Sequence, residues 1–362
     1  MIRDRSIWIK NVFHMLAYAF QDLHPDHLDD LNSEKFDRIH DLLAAVLAQG
    51  IARQLKQGLH RDYLDKAEDL PMLHGKLHLP NTIRNQISRR NLVACEYDDL
   101  SENNLLNQIL KTTALLLIRH GDVSSARRSE LKKRVLFFST VDEIAPAGIS
   151  WSAIRFTRST QSYRMLIAVC QLVADGMLLT DESGQMRLMK YVKPEYMNRL
   201  FEKFILEYYR KEHPELSASA SRIPWALDEE STAGQLPAMQ SDILLQQGNR
   251  ILIIDAKYYG RAMQQHFDHK TVHSANLYQI FAYVKNQAAF CAARGETRTV
   301  SGMLLYAKTD EATSPKGEFS LSGNRISVRT LDLNQDFPEI RDQLDAIAAA
   351  TFAGTAPASH PS

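Results

Sequence analysis

Residues 241–257, SDILLQQGNRILIIDAK, place a short turn between two apolar runs. Gly248 and Asn249 tolerate the positive φ that a two-residue hairpin turn requires. Isoleucine and leucine dominate both flanks, as they do in β-strands. Because 251–254 is apolar on both faces, we predict an antiparallel hairpin whose second strand lies inside a sheet and not at its edge.

The length of the turn sets which residues face each other across the hairpin. With a two-residue loop at 248–249, Asp242 falls directly opposite Asp255. Side chains alternate along a strand, so Lys257 shares a face with Asp255. A longer loop would offset the two aspartates by a residue or two. We therefore predict that three charges converge on one patch.

Two facing carboxylates repel each other and need a counter-charge when they are half-buried. Lys257 offers one positive charge, and Mg2+, which typically binds through one or two carboxylates plus a substrate phosphate, offers two. The alternative is an edge hairpin with solvated acids and a snorkelling lysine, which an isolated Asp-x-Lys triplet would favour. The apolar run beside the charges argues against that alternative.

The order Asp242, then Asp255-Ala256-Lys257 at the end of the next strand, resembles the core of the PD-(D/E)xK nucleases. A wider set of segments resembles the McrC family, the nuclease subunit of McrBC-type modification-dependent (5-methylcytosine) restriction systems. The segments follow the family's order and span most of the chain: IKNVFHMLAYAF, DDLSENNLLNQILKTTALLLI, LFEKFILEYY, MQSDILL, ILIIDAKYY and NLYQIFAYV.

The resemblance implies a Mg2+-dependent endodeoxyribonuclease, with Mn2+ as a possible substitute. Asp242, Asp255 and the carbonyl of Ala256 would hold the metal, and Lys257 would orient or help deprotonate the attacking water. An acid on the preceding helix often reaches the metal in this fold, and Glu202 has that place. The alternative for Glu202 is a surface residue in an i, i+4 pattern.

Gln279 and Tyr283 are four residues apart on the next predicted helix and share one of its faces. Their Q-x-x-x-Y spacing resembles a motif of several nucleases with this fold, in which the glutamine points at the site. The resemblance thus gives Gln279 a catalytic role. Two polar residues on a solvated helix face are the alternative.

The chain contains no G-x-x-x-x-G-K-[ST] sequence and hence no P-loop. McrC-type proteins work with McrB, so the resemblance implies that residues 1–150 dock on a McrB-like AAA+ GTPase hexamer and stimulate its GTPase. The implied substrate is double-stranded DNA carrying modified cytosine. With 43 Lys and Arg against 43 Asp and Glu, a large non-specific grip on DNA by this chain alone is not expected.

Two other functions remain open from the residues alone. The chain could be a self-sufficient Mg2+ endonuclease with its own DNA-binding N-terminal part. It could also be a non-catalytic interaction protein with a nuclease fold. The presence of Asp242, Asp255 and Lys257 together disfavours the last alternative.

The fold class predicted from periodicity is α+β or α/β, with a mostly helical domain followed by a restriction-endonuclease-like mixed-sheet domain. We place the first at 1–150, the second at 151–350, and a disordered tail at 354–362. Helices are expected at 7–23, 33–57, from an N-cap at Ser101, and at 124–134, 195–212, 274–291 and 337–352. Strands are expected in MLHGKLHLP, RIPWALDEE, TVSGMLLYAK and ISVRTLDL.

The cysteines Cys95, Cys170 and Cys291 lack metal-type spacing and are expected to be reduced core residues. No signal-peptide pattern and no apolar run of transmembrane length occurs in the sequence. We therefore expect a cytoplasmic protein without a membrane partner.

Overall fold

The structure is a computed structural model of the 362-residue chain. It describes residues 3–4, 7–20, 36, 38–180, 186–227, 235–258, 263–266, 269–308 and 315–353. The predicted disordered tail, 354–362, lies outside the described residues.

Runs of helices and runs of strands are interspersed along the chain. The helices are α1 (Ile9–Phe20), α2 (Ile39–Gln57), α3 (Leu79–Ile87), α4 (Leu105–His120), α5 (Ser125–Val135), α6 (Arg164–Ala174), α7 (Pro194–Glu212), α8 (Ser274–Ala293) and α9 (Phe337–Phe352). The strands are β1 (Arg3–Asp4), β2 (Ile7–Trp8), β3 (Asp62–Leu70), β4 (Lys76–Leu77), β5 (Val93–Ser101), β6 (Leu178–Thr180), β7 (Met186–Leu188), β8 (Arg222–Ile223), β9 (Met239–Gln240), β10 (Ile243–Gln247), β11 (Arg250–Lys257), β12 (Met263–His266), β13 (His269–Val272), β14 (Thr299–Ala307), β15 (Gly317–Leu321) and β16 (Asn324–Leu331). Short 3-10 helices are Leu136–Phe138, Pro146–Gly148, Trp151–Ala153 and Arg158–Tyr163.

The chain divides into two compact units. One comprises Met1–Leu42 with Met189–Ser362, and the other comprises Leu43–Leu188. These bounds differ from the domain limits drawn from the sequence. The assignment of docking to 1–150 and of nuclease activity to 151–350 stays a prediction.

Helix α1 belongs to the unit that contains the large sheet. The side chain of Asn11 is buried and donates to the carbonyls of Leu333 and Gln335 at 2.8 and 2.9 Å. On the same helix, the hydroxyl of Tyr18 donates to Glu212 at 2.7 Å. The first helix of the chain is thus part of the core around the sheet.

The large sheet has five strands in the order β10-β11-β14-β16-β15. Strands β11, β14 and β16 run parallel, and the two outer pairs are antiparallel. Strand β11 lies between two neighbours, as predicted for the apolar run at 251–254. The fold is a mixed helix and sheet architecture, in agreement with the coarse fold class predicted from the sequence.

The hairpin β10–β11 has the predicted register. The pairs run from Gln247 with Arg250 to Ile243 with Ile254. Gly248 has a φ of 55°, a value that favours glycine in a tight turn. Asp242 immediately precedes Ile243, and Asp255 immediately follows Ile254. The two aspartates therefore lie opposite each other, one step beyond the last pair of the hairpin.

Helix α8 packs against the face of the sheet that carries Asp255. Its contact with β14 is close because position 302 is glycine. A Cβ atom at Gly302 would lie 2.7 Å from Cγ2 of Val284 and 2.9 Å from Cγ1 of Ile280. The core beneath this helix consists of side chains from four strands and the helix itself: Leu244, Ile251, Ile253, Val300, Leu304, Ile326, Val328, Ile280 and Val284.

The unit Leu43–Leu188 combines helices with the small sheet β3-β5-β4. The start of α4 differs from the prediction. Ser101 ends strand β5, paired with Asp62, and Asn104 caps the helix by accepting a hydrogen bond from the Asn107 amide at 3.2 Å. Because Ser101 is part of the strand, it does not cap the helix, which begins at Leu105.

The described part of the segment RIPWALDEE, residues 222–227, does not supply a strand of the large sheet. Among its described residues, 222–227, only Arg222–Ile223 is extended, and it pairs with β9 in a separate two-stranded sheet. Ser219 lies instead along the outer side of β10. Its amide donates to the Leu244 carbonyl at 3.0 Å, and its carbonyl accepts from the Leu244 amide at 2.7 Å. This earlier segment occupies the place that the prediction gave to RIPWALDEE.

The cysteines Cys95, Cys170 and Cys291 are buried and unbonded to one another, as expected. Within the described ranges, no helix is long and apolar enough to cross a membrane.

Candidate active site at the end of strand β11

The predicted charges converge at the end of β11. The side chain of Asp255 is 1% exposed, and Nζ of Lys257 lies 2.9 Å from its Oδ2 atom. The same Nζ is 4.0 Å from Oδ2 of Asp242, whose side chain is 20% exposed. Asp242 also accepts a hydrogen bond from the amide of Ala256 at 2.9 Å. The hairpin register and strand alternation bring these groups together.

Burial sets the electrostatics of the two aspartates. Removal from water raises the pKa of Asp255 to about 7; the nearby Lys257 opposes this rise, and Asp242 adds to it. Burial likewise raises the pKa of Asp242, against the lowering effects of Lys257 and the Ala256 amide. One lysine therefore does not fully compensate two partly desolvated carboxylates.

Glu202 of α7 lies in the field of these charges. Burial, then repulsion from Asp242, raises its pKa to about 7, and Lys257 acts in the opposite direction. Its Oε1 atom accepts a hydrogen bond from Nδ2 of Asn198, one turn earlier on the helix. Glu202 is thus electrostatically coupled to Asp242 and Lys257, and its role as a metal ligand stays a prediction.

Gln279 points its amide along its own helix. Nε2 of Gln279 donates to the hydroxyl of Tyr283 at 2.9 Å, so the predicted shared face is present. Asn276, one turn earlier, donates to the hydroxyl of Tyr306 at 2.9 Å, and Tyr306 is the β14 partner of Lys257. The catalytic role of Gln279 stays a prediction.

A divalent cation fits the two aspartates on chemical grounds. Apart from the ion pair with Lys257, neither oxygen of Asp255 accepts a hydrogen bond of regular geometry from the described residues. Mg2+ keeps several waters and needs only one or two carboxylates. Across the described ranges, no three His, Cys, Asp or Glu side chains lie close enough together to form a ready-made metal site. The structure brings two carboxylates, Asp242 and Asp255, together, and Glu202 acts on them electrostatically.

A cavity of about 320 Å³ lies on the opposite face of the sheet, beneath α9. Arg250, Arg325 and Arg329 line it with Glu318. Glu318 pairs with Arg325 and Arg329 at 2.6 and 3.3 Å, while Arg250 donates to the carbonyl of Thr351 at 2.8 Å. Since its arginines already bind internal acceptors, this cavity is not the candidate active site.

The sequence analysis missed Asn198. Its Oδ1 atom accepts from the amide of Tyr258 at 2.7 Å, directly after Lys257. The i, i+4 spacing of Asn198 and Glu202 was a usable signal for the bond between them. The contact with Tyr258 depends on tertiary packing of α7 against β11, which no local pattern contains.

The fold and the site define an α+β protein with a buried, lysine-paired acidic centre at the end of an internal strand. The chain belongs to the family of McrBC 5-methylcytosine restriction system components, whose family model matches residues 4–306. The resemblance predicted from the sequence is therefore confirmed at the level of the family.

Known relatives agree with this assignment. The chain is 27% identical over 341 residues to the type IV methyl-directed restriction enzyme EcoKMcrBC of Escherichia coli (strain K12), covering 93% of this chain and 95% of the relative. It also resembles a solved half-complex from a tetradecameric assembly of Thermococcus gammatolerans McrB AAA+ hexamers with bound McrC. That match has a TM-score of 0.51 and 19% identity, and it covers 94% of this chain and 76% of the solved one. At that identity the likeness supports the fold alone.

Proposed function

We propose that this chain is the DNA-cleaving subunit of a GTP-dependent restriction complex and hydrolyses phosphodiester bonds in DNA that carries modified cytosine. The observation that carries this proposal is the convergence of Asp242, Asp255 and Lys257 at one strand end. The order of these residues along the hairpin supports a PD-(D/E)xK-type core. Membership in a restriction-system family agrees with it.

Each side chain has a distinct task in this proposal. Asp242 and Asp255, with the carbonyl of Ala256 and with Glu202, would hold Mg2+ or Mn2+. The bound cation supplies polarisation of the scissile phosphate and a more acidic water. Lys257, whose ammonium already lies within 2.9 Å of Asp255, orients the attacking water and offsets negative charge on the phosphate.

The partner is proposed to be a McrB-like AAA+ GTPase hexamer. The sequence has no P-loop of its own, and a solved structure that resembles this chain contains McrC bound to McrB AAA+ hexamers. Nucleotide hydrolysis and selection of modified DNA then belong to the partner. This chain contributes cleavage and stimulation of the GTPase.

An exposed apolar surface within 1–150 supports the docking role. Helix α3 turns Thr82 and Asn85 inwards, while Leu79, Ile83 and Ile87 are 60%, 53% and 76% exposed. We call these three residues the α3 apolar face. An apolar stripe with a spacing of four residues along an exposed helix is typical of a helix that binds in a partner's groove. We assign docking of the GTPase to this face.

The test is DNA cleavage by the assembled complex with the wild-type chain and with Asp255→Ala. We expect cleavage with Mg2+ or Mn2+, none with Ca2+ or excess chelator, and none with Asp255→Ala at any metal concentration. Ca2+ is expected to fail because it prefers more ligands at longer distances. Cleavage by Asp255→Ala at the wild-type rate would refute the assignment of the site. Specific cleavage by the wild-type chain alone, without nucleotide, would favour a self-sufficient endonuclease.

A further inference from the structure

Asn198 connects the two elements that carry the candidate site. It lies on α7, one turn before Glu202, and its side chain reaches the end of β11. The last residue pair between β11 and β14 is Lys257 with Tyr306, so the amide of Tyr258 lies just beyond this ladder. A buried amide at such a position needs an acceptor, and Oδ1 of Asn198 provides it at 2.7 Å.

The two contacts fix the orientation of the Asn198 amide group. Because the Tyr258 amide can only donate, the atom that faces it must be the oxygen. The nitrogen of Asn198 then faces Glu202 and donates to its Oε1 atom. The side chain is thus held at both ends, and a residue at this position needs both a donor and an acceptor to make both bonds.

This arrangement controls the position of a partly buried carboxylate. Asp242 and Asp255 repel the Glu202 carboxylate; Lys257 opposes this repulsion, and the hydrogen bond from Asn198 opposes it to a smaller extent. Through Tyr258, the same amide group fixes the backbone next to Lys257. The distance from Glu202 to the strand end therefore depends on Asn198.

We propose that Asn198 is a positioning residue that sets the affinity of the site for a divalent cation by holding Glu202 towards Asp242 and Asp255. This inference rests on the proposed function, because it takes Glu202 to belong to the metal site. Residues that hydrogen-bond metal-binding side chains typically change affinity or activity by about 10–100-fold when they are removed. Asn198 does not touch substrate in this proposal.

The experiment measures the Kd for Mn2+ by calorimetry with the full chain in the absence of partner and DNA. We expect Asn198→Ala to raise the Kd by about 10-fold. Asn198→Leu, which has a similar shape, serves as a second variant if the alanine variant does not fold. Glu195→Ala, an exposed change on the same helix, should leave the Kd unchanged.

A double-mutant cycle separates positioning of Glu202 from general support of the fold. In a Glu202→Gln background, Asn198→Ala should have no further effect on the Kd, because the group that it positions is already gone. An equal loss in both backgrounds would show a purely structural role and overturn the proposal. In the complex, excess Mn2+ should restore cleavage by Asn198→Ala.

The Asp255→Ala variant distinguishes a failure of the positioning role of Asn198 from a failure of the metal site itself. If Asp255→Ala abolishes Mn2+ binding while Asn198→Ala and Asn198→Leu bind like the wild-type chain, the positioning role is wrong and the proposed function stands. If Asp255→Ala also binds Mn2+ normally, the metal site itself is wrong, and the inference about Asn198 fails with it.

Discussion

The Nζ atom of Lys257 lies 2.9 Å from Oδ2 of Asp255, a carboxylate that is only 1% exposed. The two residues share one face of β11, so strand alternation alone brings them together. Without a metal, the lysine compensates part of the negative charge of the site. On the proposed function, Asp242 and Asp255 would have a divalent cation as their counter-charge, and the ammonium of Lys257 would be available to the substrate phosphate.

Replacing Lys257 should therefore destabilise the metal-free protein. We expect Lys257→Met to lower the free energy of unfolding at pH 8 by up to about 3 kcal/mol, since a buried carboxylate loses its counter-charge. Urea titration in the presence of chelator measures the effect. The exposed Lys316 provides a control, and Lys316→Met should stay within about 0.5 kcal/mol of the wild-type chain. Equal stability of the two variants would show that the ion pair contributes nothing.

The raised pKa of Asp255 gives stability a defined dependence on pH. The folded-state pKa of about 7 is well above the ordinary pKa of an aspartate, so the folded protein binds this proton more tightly than the unfolded chain. The stabilising contribution of the protonated group is full below about pH 4 and is lost as pH rises towards 7.

Asp255→Asn removes that dependence. In chelator, the Tm of Asp255→Asn minus that of the wild-type chain should rise between about pH 4 and pH 7 and level off above pH 7. Calorimetric scans across this pH range measure the difference. Mn2+ at pH 8 should reduce the difference, because it stabilises only the chain that retains both carboxylates. A difference that is constant with pH would contradict the electrostatic account.

The parts of the site that sequence analysis predicted are those fixed by local rules. Turn chemistry and strand alternation are enough to place Asp242, Asp255 and Lys257 on one patch. The role of Asn198 could not be predicted, because its contact with Tyr258 spans 60 residues and depends on how α7 packs against the sheet.

Two features of the fold differ from the prediction for different reasons. Ser101 and Asn104 are both good N-cap residues, and pairing of Ser101 with Asp62 decides between them. The hairpin β15–β16 was not predicted as a pair, although its turn at Ser322-Gly323 has positive φ at both residues. In the first case long-range strand pairing selected between two local signals, whereas in the second the turn Ser322-Gly323 joins adjacent strands and was itself a sufficient local signal.

Because α8 lies close to β14, a larger side chain at position 302 should lower the free energy of unfolding. Gly302→Ala would place a Cβ atom 2.7 Å from Val284, and overpacking of this kind costs about 1–3 kcal/mol. The free energy of unfolding from urea titration checks this. Gly148→Ala is the matched control, because its Cβ atom would meet no atom within 4 Å. Equal effects of the two substitutions would contradict the packing argument.

The α3 apolar face should be required for stimulation of the GTPase partner. We expect the double variant Ile83→Ser and Ile87→Ser to lose stimulation of GTP turnover while its thermal stability stays close to that of the wild-type chain, because both side chains are more than half exposed. Gln86→Ser, an exposed polar change on the same helix, should stimulate normally. Full stimulation by the double variant would place docking elsewhere on the chain.

Stimulation of the partner should not depend on the cleavage site. Deletion of residues 1–150 is not a clean test, because it removes helix α1, whose Asn11 bonds to Leu333 in the sheet-bearing unit.

The variant Asp255→Ala is a cleaner test, because Asp255 belongs to the sheet-bearing unit, while α3 belongs to the unit Leu43–Leu188. We expect Asp255→Ala to abolish DNA cleavage and to stimulate GTP turnover as the wild-type chain does. Turnover by a cognate McrB-like GTPase, measured at saturating concentrations of each chain, checks this. Loss of both activities in a folded Asp255→Ala variant would mean that one site serves both functions, and the separation of docking from cleavage would then be wrong.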